Sequence, residues 1–394
     1  MRRRLLPRLG LSALTLVLSL GALEIFLGFH LGDRYYVWPP NFRATFEPAP
    51  DATPGIFGTS HVTINALGIR GDPFTRRQQH RLLTIGGSTT ISYYLDDSEA
   101  WPYLVQERVN KVLGPEVLWV GNVGRSGHAT PHHLLQVEKL LQQDPEIDGV
   151  ILLIGINDFL EHLNRLRNWL VFDDRTMFYT ASPASAFSVF PRDDPDLPWR
   201  QRTAIGRLLT TVDWPFLGSS RDSAGQDRTG RIVILARQFR RQASTILPFL
   251  PDLAGALQNY AFNIHAIIDA VEERGARVIF LTQPALWREG LSDAERDLLW
   301  MGGPPMRTMG RGQPYYSIEA LAEGMAIYND TLLRICRERG VECLDAAAAL
   351  SKDTRIFWDD AHMTEAGASE LADLVAAYLL ETPPLAELRS AGVP

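Results

Sequence analysis

The sequence predicts a three-layer α/β fold with a mostly parallel five-stranded sheet, preceded by a membrane-spanning N-terminal helix. Three observations carry this. Short apolar runs that read as buried strands alternate with stretches of helical period. One of them, Gly149–Ile154, is apolar throughout, as a parallel strand covered on both faces must be. Finally, Arg2, Arg3, Arg4 and Arg8 stand before an apolar stretch from Leu9 to Leu31. With 394 residues, 45% of them hydrophobic, the chain can bury a large core. The expected division is 1–32 as a membrane segment, 33–75 as an extended linker with a short strand, and 76–394 as the α/β domain. That domain carries insertions at about 159–251 and 285–317.

As a helix the apolar stretch reaches roughly 34 Å, enough for a bilayer. The arginines before it keep the N-terminus cytoplasmic and put the rest outside. A cleaved signal peptide is the competing reading, with an apolar region at Leu9–Leu20 and a small-x-small site at Ser19-Leu20-Gly21. Glu24 favours it, because a buried carboxyl is costly in a bilayer. Gly32–Pro54, rich in proline and aromatics, reads as an extended linker. His61–Arg70 suggests a short strand and a turn, with Asn65 and Gly68 at turn positions.

The first core strand is Leu82–Ile85, ended by Gly86-Gly87 ahead of Ser88. A helix follows over about Ala100–Leu113, then a strand at Glu116–Val120 and the turn Gly121-Asn122-Val123-Gly124. Thr130-Pro131 opens a helix that ends near Gln143. Gly149–Ile154 runs into Gly155-Ile156-Asn157-Asp158. Phe159–Pro251 breaks the rhythm, with patchy helix at Ile232–Leu247. Helix Leu257–Arg274 and strand Arg277–Thr282 resume it, and Ala285–Ser317 interrupts again. Helix Ile318–Arg339, strand Val341–Asp345, the loop Phe357–Thr364 and helix Glu365–Leu380 complete the domain.

The net charge of −7 and the pI near 5.8 argue against a nucleic-acid partner. Cys336 and Cys343 are too few for a disulfide framework; two buried thiols are the preferred reading, with a single bridge left open.

In such a sheet ligands bind beyond the carboxyl ends of the strands, so the turn after each strand is a candidate site. Alone, Ser88 reads as a helix N-cap. Gly124, Asn157 and the pair Asp359 and His362 arrive at the same edge and change that reading. A serine hydroxyl needs a base to take its proton, and His362 is suited to that near neutrality. Asp359, three residues earlier, can hold the histidine tautomer; its neighbour Asp360 is the rival and would point elsewhere. The N–H groups of Ser88 and Gly124 and the Asn157 amide are the expected oxyanion donors.

In these four ordered blocks the chain resembles the SGNH (GDSL-type) hydrolases. GGST holds Ser88, NVGRSG holds Gly124, GIND holds Asn157 and DDAH holds Asp359 and His362. The common G-D-S aspartate is Gly87 here. The resemblance covers about Leu82–Leu380 outside the insertions. It implies a flavodoxin-like sandwich and ester hydrolysis without a metal or cofactor. It also fits a bacterial inner-membrane protein with its domain in the periplasm or outside, or one secreted after signal cleavage. The substrate expected is an ester, with an acylated glycan, including one carrying surface O-acetyl groups, or a lipid as the candidates. An O-acetyltransferase with the same triad and a non-catalytic envelope binding protein are the alternatives.

Other candidates have plainer readings. His128, His132 and His133 lack nearby acidic partners and are not taken as a metal site. Asp158 reads as a cap, and Arg165, Arg167, Arg200, Arg202 and Arg207 as solvated surface. Phe357 and Trp358 read equally as pocket lining or as packing for the histidine loop.

Overall fold

The computed structural model describes residues 5–30, 34–163, 170–173, 178–191, 203, 205, 228–304 and 308–390. The five expected arginines of the first insertion lie outside them. In chain order come α1 (Leu5–His30), β1 (Arg43–Phe46), β2 (Ser60–Thr63), β3 (His80–Gly86), α2 (Ser88–Ile91), α3 (Trp101–Leu113), β4 (Leu118–Asn122), α4 (Thr130–Gln143), β5 (Gly149–Leu153) and α5 (Ile156–Leu163). The first insertion contributes β6 (Leu170–Asp173), β7 (Phe178–Ala181), α6 (Pro183–Ala186), α7 (Arg228–Arg241) and β8 (Ile246–Leu247). Then follow α8 (Ala254–Glu272), β9 (Arg277–Leu281), α9 (Asp293–Arg296), β10 (Tyr315–Tyr316), α10 (Ile318–Arg339), β11 (Glu342–Leu344), α11 (Ala346–Ala349), α12 (Glu365–Glu381) and α13 (Leu385–Ser390).

Five strands form one parallel sheet in the order β11-β9-β5-β3-β4. All of β4 and β5 is buried, since helices cover both faces. One helical group packs α3 against α12 and α13; the other packs α4 against α8, with α5 and α10 beside it. Each apolar side chain so enclosed contributes about 1.5–3 kcal/mol against exposure. The chain steps outward from β3 to β4, then crosses back to β5 on the other side of β3. Such a reversal opens a crevice at the carboxyl ends of the neighbouring strands. Register pairs Gly86 of β3 with Leu153 of β5, so both strands end at one level.

Four differences from the sequence reading have local causes. β4 starts two residues later than expected, because Glu116 sits at φ 66°, in turn geometry. It also runs on through Asn122, whose N–H and C=O pair with Arg70. Second, the stretch read as a linker is packed down: Val37 and Trp38 are 1% and 4% exposed, and Arg34 pairs with Asp144 at 2.5 Å. Third, the preference for two thiols is corrected, because Cys336 and Cys343 form a disulfide with Cα atoms 6.1 Å apart. The chain reverses through Gly340 at φ 69°, where Val341 N–H donates to Cys336 O, and this turns the two side chains together. Fourth, the expected membrane-spanning helix is not found: among the described residues no helix is long and apolar enough to cross a membrane. Residues 5–30 are helical. They include Glu24, whose carboxylate accepts from Ile205 N–H at 2.9 Å.

Candidate active site

Ser88 stands where β3 hands over to the single turn of α2. The two glycines before it are required by their neighbours, not by their torsions. A Cβ on Gly86 would sit 2.2 Å from Thr90 Oγ1, and one on Gly87 would sit 2.3 Å from Asn157 Nδ2. An aspartate at 87, as in a G-D-S block, would therefore displace Asn157. The turn ends at Ser92, φ 51°, and is tied off by the buried Arg70. Arg70 donates to Ile91 O, Ser92 O and Leu95 O and pairs with Asp97 at 2.8 Å.

The residues expected to act together do meet. His362 Nε2 lies 2.8 Å from Ser88 Oγ, and His362 Nδ1 lies 2.7 Å from Asp359 Oδ2. A carboxylate only accepts, so Nδ1 carries the proton and Nε2 is left to accept from the serine. The loop makes this geometry locally. Asp359 Oδ1 accepts from Ala361 N–H at 3.0 Å and His362 N–H at 2.8 Å, folding the three-residue link back on itself. Phe357 bridges to Met363, and Trp358 N–H donates to His362 O at 3.1 Å. The Trp358 ring stacks on the imidazole with centroids 5.0 Å apart.

Asp359 and Asp360 are both fully enclosed, but they face different ways. Asp360 accepts from Trp287 Nε1–H at 2.8 Å, Trp300 N–H at 2.7 Å and Met301 N–H at 3.1 Å. Burial and the adjacent Asp359 charge push its carboxyl up. Burial also acts to raise Asp359, but the facing imidazole and the two loop N–H groups outweigh it and hold Asp359 below the usual carboxylate range. For His362, burial disfavours the charged ring, yet the Asp359 charge and hydrogen bond win and raise it above its ordinary value.

The three groups expected as oxyanion donors divide. The Ser88 N–H leads a helix and has no partner inside it. Asn157 lies beside Ser88 in the cavity wall; one hydrogen of its amide donates to His128 O at 2.8 Å and the other remains. Gly124 is packed so close that a Cβ would meet Ile91 N at 2.5 Å, and its N–H donates to Asn122 Oδ1 at 2.9 Å. At that position the cavity is lined by Ser126 and Gly127 instead.

The cavity over Ser88 measures about 330 Å³. Its walls are largely apolar, with Phe46, Tyr94, Leu160, Val233, Met301 and Trp358 among them. Val233 comes from α7 and Met301 from the second insertion, so both insertions close the site. Trp300 of the second insertion was not foreseen: it lines the cavity and donates its Nε1–H to Asp359 Oδ2 at 2.8 Å. Nothing local in its sequence marks it. Tyr93 and Tyr94, by contrast, follow closely after Ser88 in the chain.

His128, His132 and His133 pack as a buried cluster, with His128 and His132 stacked at 4.5 Å. Burial and mutual repulsion push His132 down to about 3, and burial takes His133 to about 4, so neutral rings are favoured. Among the described residues no group of three or more His, Cys, Asp or Glu side chains could hold a metal ion. Asp158 caps a facing helix: its Oδ1 accepts from Thr130 N–H at 3.0 Å and Thr130 Oγ1–H at 2.5 Å.

Against known proteins, the model of the GDSL-like lipase/acylhydrolase family matches residues 84–369. A search of curated protein sequences gives no match. Among solved structures, an alpha/beta hydrolase enzyme from the metagenome of Lake Arreo, Spain, is 15% identical, covering 76% of this chain and 94% of its own, with a TM-score of 0.39. Axe2, an acetylxylan esterase from Geobacillus stearothermophilus, is 16% identical over the same shares, also at 0.39.

Proposed function

The chain belongs to the GDSL-like lipase/acylhydrolase family and is an ester-hydrolysing enzyme, and from that premise we propose that Ser88, His362 and Asp359 form its catalytic triad. The unbroken contact line Ser88 Oγ–His362–Asp359, at 2.8 and 2.7 Å, carries this reading. His362 Nε2 takes the Ser88 proton as Oγ attacks the ester carbonyl. The charge on the carbonyl oxygen is met by Ser88 N–H and the remaining amide hydrogen of Asn157. Gly124, the third expected donor, reaches that oxygen only by giving up Asn122 Oδ1. Collapse expels the alcohol, which takes the proton from His362. Water then attacks the acyl-serine with His362 as base, and the acid leaves.

The cavity walls support an ester whose acyl part is apolar and of moderate size, in preference to a bare acetyl group on a sugar. At about 330 Å³ the cavity lies at the small end of ligand pockets. The purified full chain and Ser88→Ala, assayed on p-nitrophenyl esters from acetate to decanoate, test both parts. The triad predicts a rate at least about 10³-fold lower in Ser88→Ala. The cavity predicts kcat/KM rising from acetate to a middle chain length. Equal rates in the two proteins would remove the triad; an optimum at acetate would remove the apolar acyl group and favour glycan O-acetyl substrates.

The leading arginines and the apolar stretch after them further support export of this domain across a bacterial inner membrane, by an anchor or a cleaved leader. Membrane fractionation with N-terminal sequencing of the mature protein separates the two; a cytosolic protein beginning at Met1 rejects both.

A further inference from the structure

The acid–base arm is gripped from outside its own loop. Asp359 Oδ2 accepts two hydrogen bonds, one from His362 Nδ1–H at 2.7 Å and one from Trp300 Nε1–H at 2.8 Å. Trp300 follows α9 in the second insertion and is distant in sequence from the histidine loop. Its place is fixed in turn by Asp360, whose Oδ2 accepts the main-chain N–H of Trp300 at 2.7 Å and of Met301 at 3.1 Å. Asp360 Oδ1 takes the indole N–H of the fully buried Trp287 at 2.8 Å. One insertion thus holds both carboxylates of the Asp359-Asp360 pair, and the Trp300 ring also forms part of the cavity wall.

We propose that Trp300 is a positioning residue for the triad, its indole N–H setting the direction and acceptor strength of the Asp359 carboxylate, with Asp360 as the clamp that holds Trp300 in place. This rests on the Ser88–His362–Asp359 reading. A carboxylate oxygen shared by two donors is a weaker acceptor for each than one bound by a single donor. The indole N–H therefore moderates how strongly Asp359 favours the protonated imidazole. It also leaves the carboxylate one orientation, the one that keeps Nε2 aimed at Ser88. The other charged or titratable groups bearing on the pair are Arg237 of α7 on both carboxylates and Arg240 of α7 and Tyr315 of β10 on Asp360. None of them replaces a donor at Asp359 Oδ2.

Trp300→Phe in the full chain keeps the wall and removes the N–H. The expected result is a kcat about tenfold lower with KM within about twofold. The acid limb of the kcat/KM profile should move up by about half a pH unit, because Asp359 then binds the imidazolium more strongly. The low-field proton resonance of the His362 Nδ1–H should move further downfield for the same reason. A limb and resonance at wild-type positions would overturn the inference, whatever happens to KM; a higher KM alone would make Trp300 only a wall. If the phenylalanine variant does not fold, Trp300→Leu is scored on the same limb. Ser88→Ala serves as the control that separates the two readings. Its activity equal to wild type removes triad and inference together. An inactive Ser88→Ala with an unmoved limb in Trp300→Phe removes the inference alone.

Discussion

In the proposed triad the imidazole of His362 serves as base only when unprotonated, and Asp359 raises its pKa against the pull of burial. The acid limb of kcat/KM is therefore expected above pH 6.5, the ordinary value for histidine. Asp359→Asn should lower kcat by about 10³–10⁴-fold and shift that limb to lower pH, because the charge that favours the imidazolium is gone. Steady-state rates across pH 5–9 check both. A second carboxyl gives a stability signature. Asp158 is pushed up to about 6 by burial, with its Oδ2 lacking a partner and the Tyr260 and Tyr328 hydroxyls buried unpaired nearby. A raised folded value means that its contribution is present below the unfolded value near 3.9 and lost as pH climbs through about 6. Asp158→Asn should thus gain on the order of 2 kcal/mol relative to wild type between pH 4 and pH 8, by denaturant melts at each pH. At this scale the sequence was largely legible. Ser88, Asn157, Asp359 and His362 could be named because each follows a strand or precedes a helix, and the sheet brings such ends together. Trp300 could not, because its partner lies on a loop that sequence spacing does not relate to it.

Among elements, the core strands were readable because burial on both faces leaves an apolar run with no other explanation. The insertions were not, since their structure comes from what they touch. α7 is the clearest case. The sequence shows helical period over Ile232–Leu247, but the helix ends at Arg241 and Ile246–Leu247 is β8. The task of α7 is performed by two arginines whose acceptors are carbonyls far along the chain. Arg237 donates to Leu298 O at 2.9 Å, Asp51 O at 3.0 Å and Trp358 O at 3.0 Å. Arg240 reaches Met301 O and Tyr316 O. Arg237→Met would strand buried acceptors and should cost about 3 kcal/mol, with kcat reduced because Trp358 precedes Asp359. Denaturant melts and kinetics on the same preparation check this. The disulfide closes only a short loop between α10 and β11, at a sequence separation of 7. Its loss should cost about 2 kcal/mol while leaving kcat unchanged, since the site is elsewhere. Melting and assaying Cys336→Ser/Cys343→Ser is the measurement.

Across the molecule, two kinds of support meet at one cavity. Ser88 and Asn157 rise from β3 and β5, adjacent strands with paired ends. Asp359 and His362 lie on the loop before α12, held by the second insertion, while α7 of the first insertion adds Val233 to the wall. Acyl preference should accordingly respond to changes in the insertions. Val233→Trp is expected to move the chain-length optimum to shorter esters with little change on the shortest, as the p-nitrophenyl series would read.

The pairing of β3 with β5 has a consequence for how such an enzyme diversifies. Neighbouring parallel strands stand about 4.8 Å apart whatever surrounds them. The spacing between serine and amide is thus a property of the sheet, insulated from changes at the rim. The base arm has no such insulation, because a rim segment grips its carboxylate. Exchanging rim segments between relatives would leave the nucleophile half in tune and detune the proton-transfer half. A graft that alters acyl preference would then show its penalty first in pH dependence, before any loss of reactivity at the serine.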